Sequence, residues 1–181
     1  MKKLLFLIIV GAAIAALLQP SGCKIVSGTF VVDTVFTDLS PNGNGNYYYE
    51  ELDLTDNDVW IDHKDDITDI DNVGFELWVT SSAATANVFN CYIDATSSTL
   101  DGNSSRSAVE ASAKHVLVDL PMPPGSSFIG YAASFSYIDN LDAMKTLAEA
   151  GMFKFWAVAD VTTDDFVVDS IRVVLTLSAG S

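Results

Sequence analysis

The stretch that most limits what this chain can become is Val73–Thr80. There Val73, Phe75, Leu77 and Val79 alternate with Gly74, Glu76, Trp78 and Thr80. A period of two puts all four apolar side chains on one face of an extended strand. Similar runs recur. Thr29–Phe36 is β-rich, Tyr47–Leu54 alternates in part, and Ala86–Asp94 turns Phe89, Cys91 and Ile93 inward. Lys114–Leu120 does the same with Val116, Val118 and Leu120, and Phe128–Phe135 with Ile129, Tyr131, Ala133 and Phe135. Phe153–Val161 is apolar on both faces, which is the pattern of a central strand, and Phe166–Leu177 closes the series. Turn-forming residues separate the runs: Ser40–Asn46, the Pro121–Gly125 segment that should stop pairing, and Thr162–Asp165.

About eight short strands with frequent turns predict a mainly β fold, an antiparallel β-sandwich over residues 29–178. Two short helices interrupt it. One runs through Val59–Asp66, capped by Thr55, Asp56 or Asp58, with Trp60, His63, Ile67 and Ile70 on one face. The other is Asp139–Ala150, capped by Asp139 or Asn140 and stopped by Gly151. The spans ending at Gly74 and at Gly151 look alike, each a helix followed by an aromatic strand, which is a weak sign of an internal repeat. The stretch 96–112 is rich in Ser, Asn and Gly and reads as a surface loop.

The N-terminus has a different character. Lys2 and Lys3 precede an unbroken apolar or small run, Leu4–Leu18, and then Gln19-Pro20-Ser21-Gly22-Cys23. A cationic start, a short apolar run and small residues at a cut site predict a secretory signal peptide over residues 1–22. The run is short for a membrane span. Ser21-Gly22-Cys23 resembles a bacterial lipoprotein signal, with Pro20 where that family usually carries Leu. The resemblance implies that Cys23 becomes the lipidated first residue, residues 23–28 form a tether, and the protein is held on the cell envelope. Lys24 after Cys23, without an inner-membrane retention Asp, favours an outer membrane. The alternative is an ordinary cleaved signal with Cys23 as a thiol. The second cysteine, Cys91, is then either a buried small hydrophobe without a partner or half of a Cys23–Cys91 disulfide.

The chain carries 24 acidic and 9 basic side chains, a formal charge of −15, and loss of Lys2 and Lys3 would make it about −17. That argues against nucleic acid, whose phosphates require Lys and Arg, and suits a cation, a basic partner or a solvated surface. Ten carboxylates crowd residues 50–71: Glu50, Glu51, Asp53, Asp56, Asp58, Asp62, Asp65, Asp66, Asp69 and Asp71. Calcium takes 6–8 oxygen ligands, so Asp53, Asp56, Asp58 and Asp62 are the candidate set, although the Gly and Glu of a calcium loop are absent. A solvated helix and turn is the plainer reading. Tyr47, Tyr49 and Trp78 are the candidate stacking residues for a glycan, against ordinary use in the core. His63 and His115, the two histidines, fall on different elements, and no nucleophile elbow, H-E-x-x-H or P-loop spacing is present. The expectation is a non-enzymatic structural or interaction module with no cofactor beyond calcium, its partners a membrane, an envelope protein or a glycan. A carbohydrate- or calcium-binding module is the second reading and an acidic hydrolase the third.

Overall fold

Alternation fixes which side of each strand is greasy, and the strands solve that constraint by stacking two sheets. The computed structural model describes residues 28–37, 39–41, 47–160 and 165–179. The leader, Cys23, the tether residues before Gly28, and most of the Ser40–Asn46 and Thr162–Asp165 turns lie outside them.

One sheet has the order β1 (Gly28–Thr37), β9 (Phe166–Ala179), β4 (Ile67–Ser81), β7 (Gly125–Ile129). The other has the order β2 (Ser40–Pro41), β3 (Tyr48–Asp53), β8 (Met152–Ala159), β5 (Asn87–Ala95), β6 (Lys114–Met122). Every pairing is antiparallel. Setting aside the two-residue β2, each sheet has four full strands. The protein is a mainly β antiparallel sandwich, as the alternation predicts. Inward rows meet in one core: Phe75 lies 6.0 Å from Phe155, and Phe166 meets Tyr48 and Phe89 edge-on at 5.1 and 6.2 Å. Each such side chain removed from water contributes roughly 1.5–3 kcal/mol. Cys91 is a free thiol wholly buried in this core. β8 is central, flanked by β3 and β5, as its two-faced hydrophobicity requires.

Among the described residues four short helices accompany the strands: α1 (Asp58–His63), α2 (Arg106–Ser112), α3 (Tyr131–Ser134, running into a 3-10 turn at Phe135–Tyr137) and α4 (Leu141–Glu149). The first helix is shorter than the spacing predicts. Asn57 caps it: its Oδ1 accepts from the amides of Val59 and Trp60, while its Nδ2 donates to the Asp33 carbonyl on β1. Ile67 and Ile70 belong to β4 instead. Register shifts at Ile67/Asp69 and Ile70/Asn72 each insert one extra residue, so inward positions recur every three residues and imitate a helix face.

Four further expectations are corrected. Pro121 and Met122 do not stop pairing, because both remain in β6 opposite Val88 and Asn87. β6 is bulged twice, which buries Leu117 and leaves Val118 half-buried. The strand expected to reach Phe135 ends at Ile129. The chain then leaves the sheet at Gly130, and Ser134 Oγ accepts the Phe75 amide at 3.2 Å on the edge of β4 that β7 does not cover. Lastly, Gly151 stops α4 in the left-handed region at φ 79°, whereas Gly74 sits within β4 where a Cβ would lie 2.3 Å from the Tyr131 ring. The two glycines do different jobs, so the apparent repeat is not structural.

Candidate functional site: the Trp60 cleft and the open sheet face

The carboxylate-rich stretch begins at the end of β3. Asp53 Oδ1 accepts from both the amide and the hydroxyl of Thr55, at 2.8 and 2.6 Å. Asp56 is exposed on the turn, Asp58 opens α1 and Asp62 is exposed further along it. Upstream, Glu51 accepts from the Tyr49 hydroxyl at 2.8 Å, and burial together with the charge of Glu51 raises the Glu50 carboxyl above its usual range. Downstream, Asp71 accepts from Ser178 Oγ. Among the described residues no three His, Cys, Asp or Glu side chains converge as metal ligands.

The three candidate stacking residues are not brought together. Tyr47 has no exposed surface, Tyr49 packs on Trp156 at 5.3 Å, and both belong to the β3–β8 side. Trp78 lies on the other sheet, 4.7 Å from Phe128. The two histidines are also apart. His63 is in the last turn of α1. His115 stacks on Tyr92 at 4.4 Å, and its Nε2 lies 2.7 Å from Asn90 Oδ1. That oxygen already accepts the Asp119 amide, so Nε2 is the protonated nitrogen.

Sequence reasoning missed how the outer face of the five-stranded sheet is covered. Residues 96–113 form a strap that seals a second apolar cluster of Tyr47, Tyr92, Val109, Trp156 and Val158. Side chains from the sheet hold its backbone. Tyr47 Oη donates to the Ser104 carbonyl at 2.5 Å with Gly102 O at 3.2 Å, and Trp156 Nε1 reaches Asp101 O at 3.4 Å. Lys154, only 7 % exposed, donates to the carbonyls of Ser98 and Leu100 at 3.0 and 2.8 Å. Arg106 ties α2 back to β8 through Ala159 O and also pairs with Glu110 and Asp160.

The four-stranded sheet has no such strap among the described residues. Its outer face is mixed. Arg172 bridges Asp33 at 2.8 Å and Glu76 at 2.9 Å across three strands. Around this triad Val31, Val35, Phe128 and Val167 are exposed, Phe128 at 56 %.

Two open clefts among the described residues bear on function. The larger, about 510 Å³, lies at the end of the sandwich where β4 begins, and is lined by Thr55, Trp60, Lys64, Asp65, Ile67, Glu149 and Ala150. The smaller, about 360 Å³, runs between β6 and the 3-10 turn, with Asp119 and Asp139 on its walls. No family model matches this chain, and no curated protein matches it in sequence.

Proposed function

We propose that this protein is exported, anchored on the cell envelope through a lipid on Cys23, and acts there as a non-enzymatic structural or interaction module. The observation that carries the module reading is the open outer face of the four-stranded sheet. A sheet face that sets exposed Val31, Val35, Phe128 and Val167 around an Arg172–Asp33–Glu76 triad has the composition of a contact surface: apolar ground with a few charges to set register. Among the described residues the opposite face of the sandwich is covered by the strap and shows no comparable group of exposed large apolar side chains.

The chain arrangement agrees with anchoring. β1 is paired with β9 from Gly28 onward, so residues 24–27 alone separate Cys23 from the folded body. Even fully extended, that link reaches on the order of 17 Å. A lipid on Cys23 would hold the end of the sandwich that carries Gly28, Ile67 and Ala179 near the bilayer and leave the long sheet faces free to the side. Several acyl chains, at about 0.8 kcal/mol per buried CH₂, would make the attachment stable.

Two measurements test this. Mass spectrometry of the protein from membranes should show an N-terminal diacylglyceryl-modified Cys23; an N-terminus elsewhere removes the anchor. Photo-crosslinkers placed at Val35 and at Phe128 should give the same discrete envelope adduct, and one placed at Glu110 on α2 should not. Equal labelling from all three positions would dispose of the sheet face as the contact surface.

A further inference from the structure

We propose that the cleft under α1 is a saccharide-binding site, built on the indole N–H of Trp60 and sized for one or two neutral sugar rings. Trp60 is 4 % exposed, yet no residue of the described structure accepts a hydrogen bond from its Nε1. Nε1 is not sealed in the interior either, for Thr34 Oγ1 and Asn87 Nδ2 are the buried side-chain atoms left without a partner among the described residues. Trp60 lines the cleft, and its Nε1 keeps contact with solvent. The Cε2–Cζ2 edge of the ring, which carries the N–H side, rests beside Gly151 next to the cleft-lining Ala150. A tryptophan N–H normally finds a partner when buried. Here the partner has to come from outside the chain.

The rest of the lining narrows the ligand. Lys64, Asp65 and Glu149 are exposed, and within the described residues their side chains make no ion pair or hydrogen bond. Ile67 supplies an apolar wall and Thr55 a small polar one. The cleft thus offers donors and acceptors together, separated by a short apolar strip. An anion would face Asp65, Glu149 and a chain of charge −15. A bare cation would leave the indole N–H unanswered, and an apolar ligand would strand three charges. A neutral sugar matches, because each hydroxyl both donates and accepts while the ring C–H face is apolar. The volume of about 510 Å³ lies in the range of small-ligand sites and admits a disaccharide. Trp60 acts as a hydrogen-bond donor in this site, not as a stacking platform.

The inference rests on reading the protein as a binding module, and the two can fail separately. The test follows the three indole N–H resonances of the full chain by ¹H–¹⁵N correlation, with the Trp60 signal assigned from Trp60→Phe. Cellobiose, maltose and N,N′-diacetylchitobiose are titrated to tens of millimolar, and digalacturonic acid serves as the anionic comparison. The expected result is a saturable shift of the Trp60 resonance alone with at least one neutral disaccharide, and no shift with digalacturonate. Asp65→Asn and Glu149→Gln, both at exposed positions, should each weaken that binding by about tenfold, the worth of one good hydrogen bond to a charged group. They decide the matter even if Trp60→Phe fails to fold. A Trp60 resonance that moves with no neutral sugar, or moves equally with digalacturonate, overturns the site and leaves the sheet-face crosslinks untouched. Release of new reducing ends during the titration would support the site and overturn the non-enzymatic reading.

Discussion

Tyr47 immediately precedes β3 and Tyr49 lies within it, both on the strap side of the sheet, and replacing each by Phe should have unequal consequences. Tyr47 is wholly buried beneath the strap, and its hydroxyl points at three strap carbonyls: Ser104 at 2.5 Å, Gly102 at 3.2 Å and Asp101 at 3.5 Å. One hydroxyl carries one proton, so the loss in Tyr47→Phe is one hydrogen bond plus the cost of a carbonyl left without its donor, not three bonds. A net bond is worth about 0.5–1.5 kcal/mol and an unsatisfied buried partner about 1–3 kcal/mol. Water can reach the strap from outside, which favours the lower half, so the expected destabilisation is about 1–2 kcal/mol. For a domain of this size that lowers the Tm by about 3–6 °C. Tyr49→Phe removes a hydroxyl that meets Glu51 at an exposed position, and it should cost no more than about 0.5 kcal/mol. It also relieves a tyrosine whose own ionisation is pushed upward by burial and by the nearby Glu51 carboxylate. Thermal and urea unfolding give the two stabilities. Hydrogen exchange then locates the loss, with faster exchange expected across residues 98–109 and little change in β4 and β9. If Tyr47→Phe falls within 0.5 kcal/mol of the parent, or matches Tyr49→Phe, the strap is not held as described.

Other outcomes follow from single contacts. Burial pushes the Cys91 thiol well up, so the native protein should leave Cys91 unmodified by a thiol reagent and react there only after unfolding; a lipidated chain then shows no fast thiol and a chain with free Cys23 shows one. Gly151→Ala and Gly125→Ala share the cost of a positive φ, 79° and 89°, but a Cβ at Gly151 also meets Thr55 Cγ2 at 2.6 Å while Gly125 has open space; unfolding should show losses of about 2 and about 1 kcal/mol, and equal losses would remove the packing argument. Glu50 has a raised carboxyl, so the native state holds its proton to higher pH than the unfolded chain and stability falls as pH rises through that window; Glu50→Gln should be the more stable protein at pH 7 and converge with the parent at acid pH, and a parallel pair of pH–stability curves would contradict it. Calcium at millimolar concentration should raise the Tm by about 1–3 °C by easing repulsion among the carboxylates of residues 50–71, and magnesium should do nearly as well; an unchanged transition with and without chelator would exclude the effect.

The rows that build the core were legible because burial on one face leaves its mark at every second residue. β9 from Ile171 to Leu177 carries that mark without interruption, and β4 from Val73 to Val79 departs from it only at the buried Gly74; in β5 all of residues 89–93 are buried, and the mark there is the inward row Phe89, Cys91 and Ile93. It fails where a strand is bulged. In the first half of β4 two extra residues convert a spacing of two into a spacing of three, and Ile67, Ile70 and Val73 then look helical. In β6 the same device moves burial from Val118 to Leu117, and Asp119, at φ 52°, is held by the Asn90 side chain across the bulge. α3 was hidden for another reason. Its residues alternate well enough for a strand, but the free edge of β4 needs Ser134 more than another ladder.

The strap and the Trp60 cleft were illegible in a deeper sense, because what fixes them is written elsewhere in the chain. Nothing in residues 96–113 forecasts order beyond Leu100, Val109 and Ala113; the determinants are Tyr47, Lys154 and Trp156, which donate into strap carbonyls that every sequence possesses. The apolar outer face of β8 was the available signal. A strand that is greasy on both sides needs two covers, and one was still to be assigned. Trp60 carries the complementary lesson. As a sequence feature it is one more core aromatic, and its burial agrees with that. Only the absence of an acceptor for its N–H within the described residues, on a ring that lines a cleft with Lys64, Asp65 and Glu149, separates it from Trp156, which has Asp101 O within reach. Trp60 Nε1 keeps solvent contact beside exposed charges that pair with nothing in the described residues, so a ligand entering the cleft meets donors and acceptors not already engaged within the chain. That availability is the physical reason to look for a ligand at Trp60 before any other tryptophan.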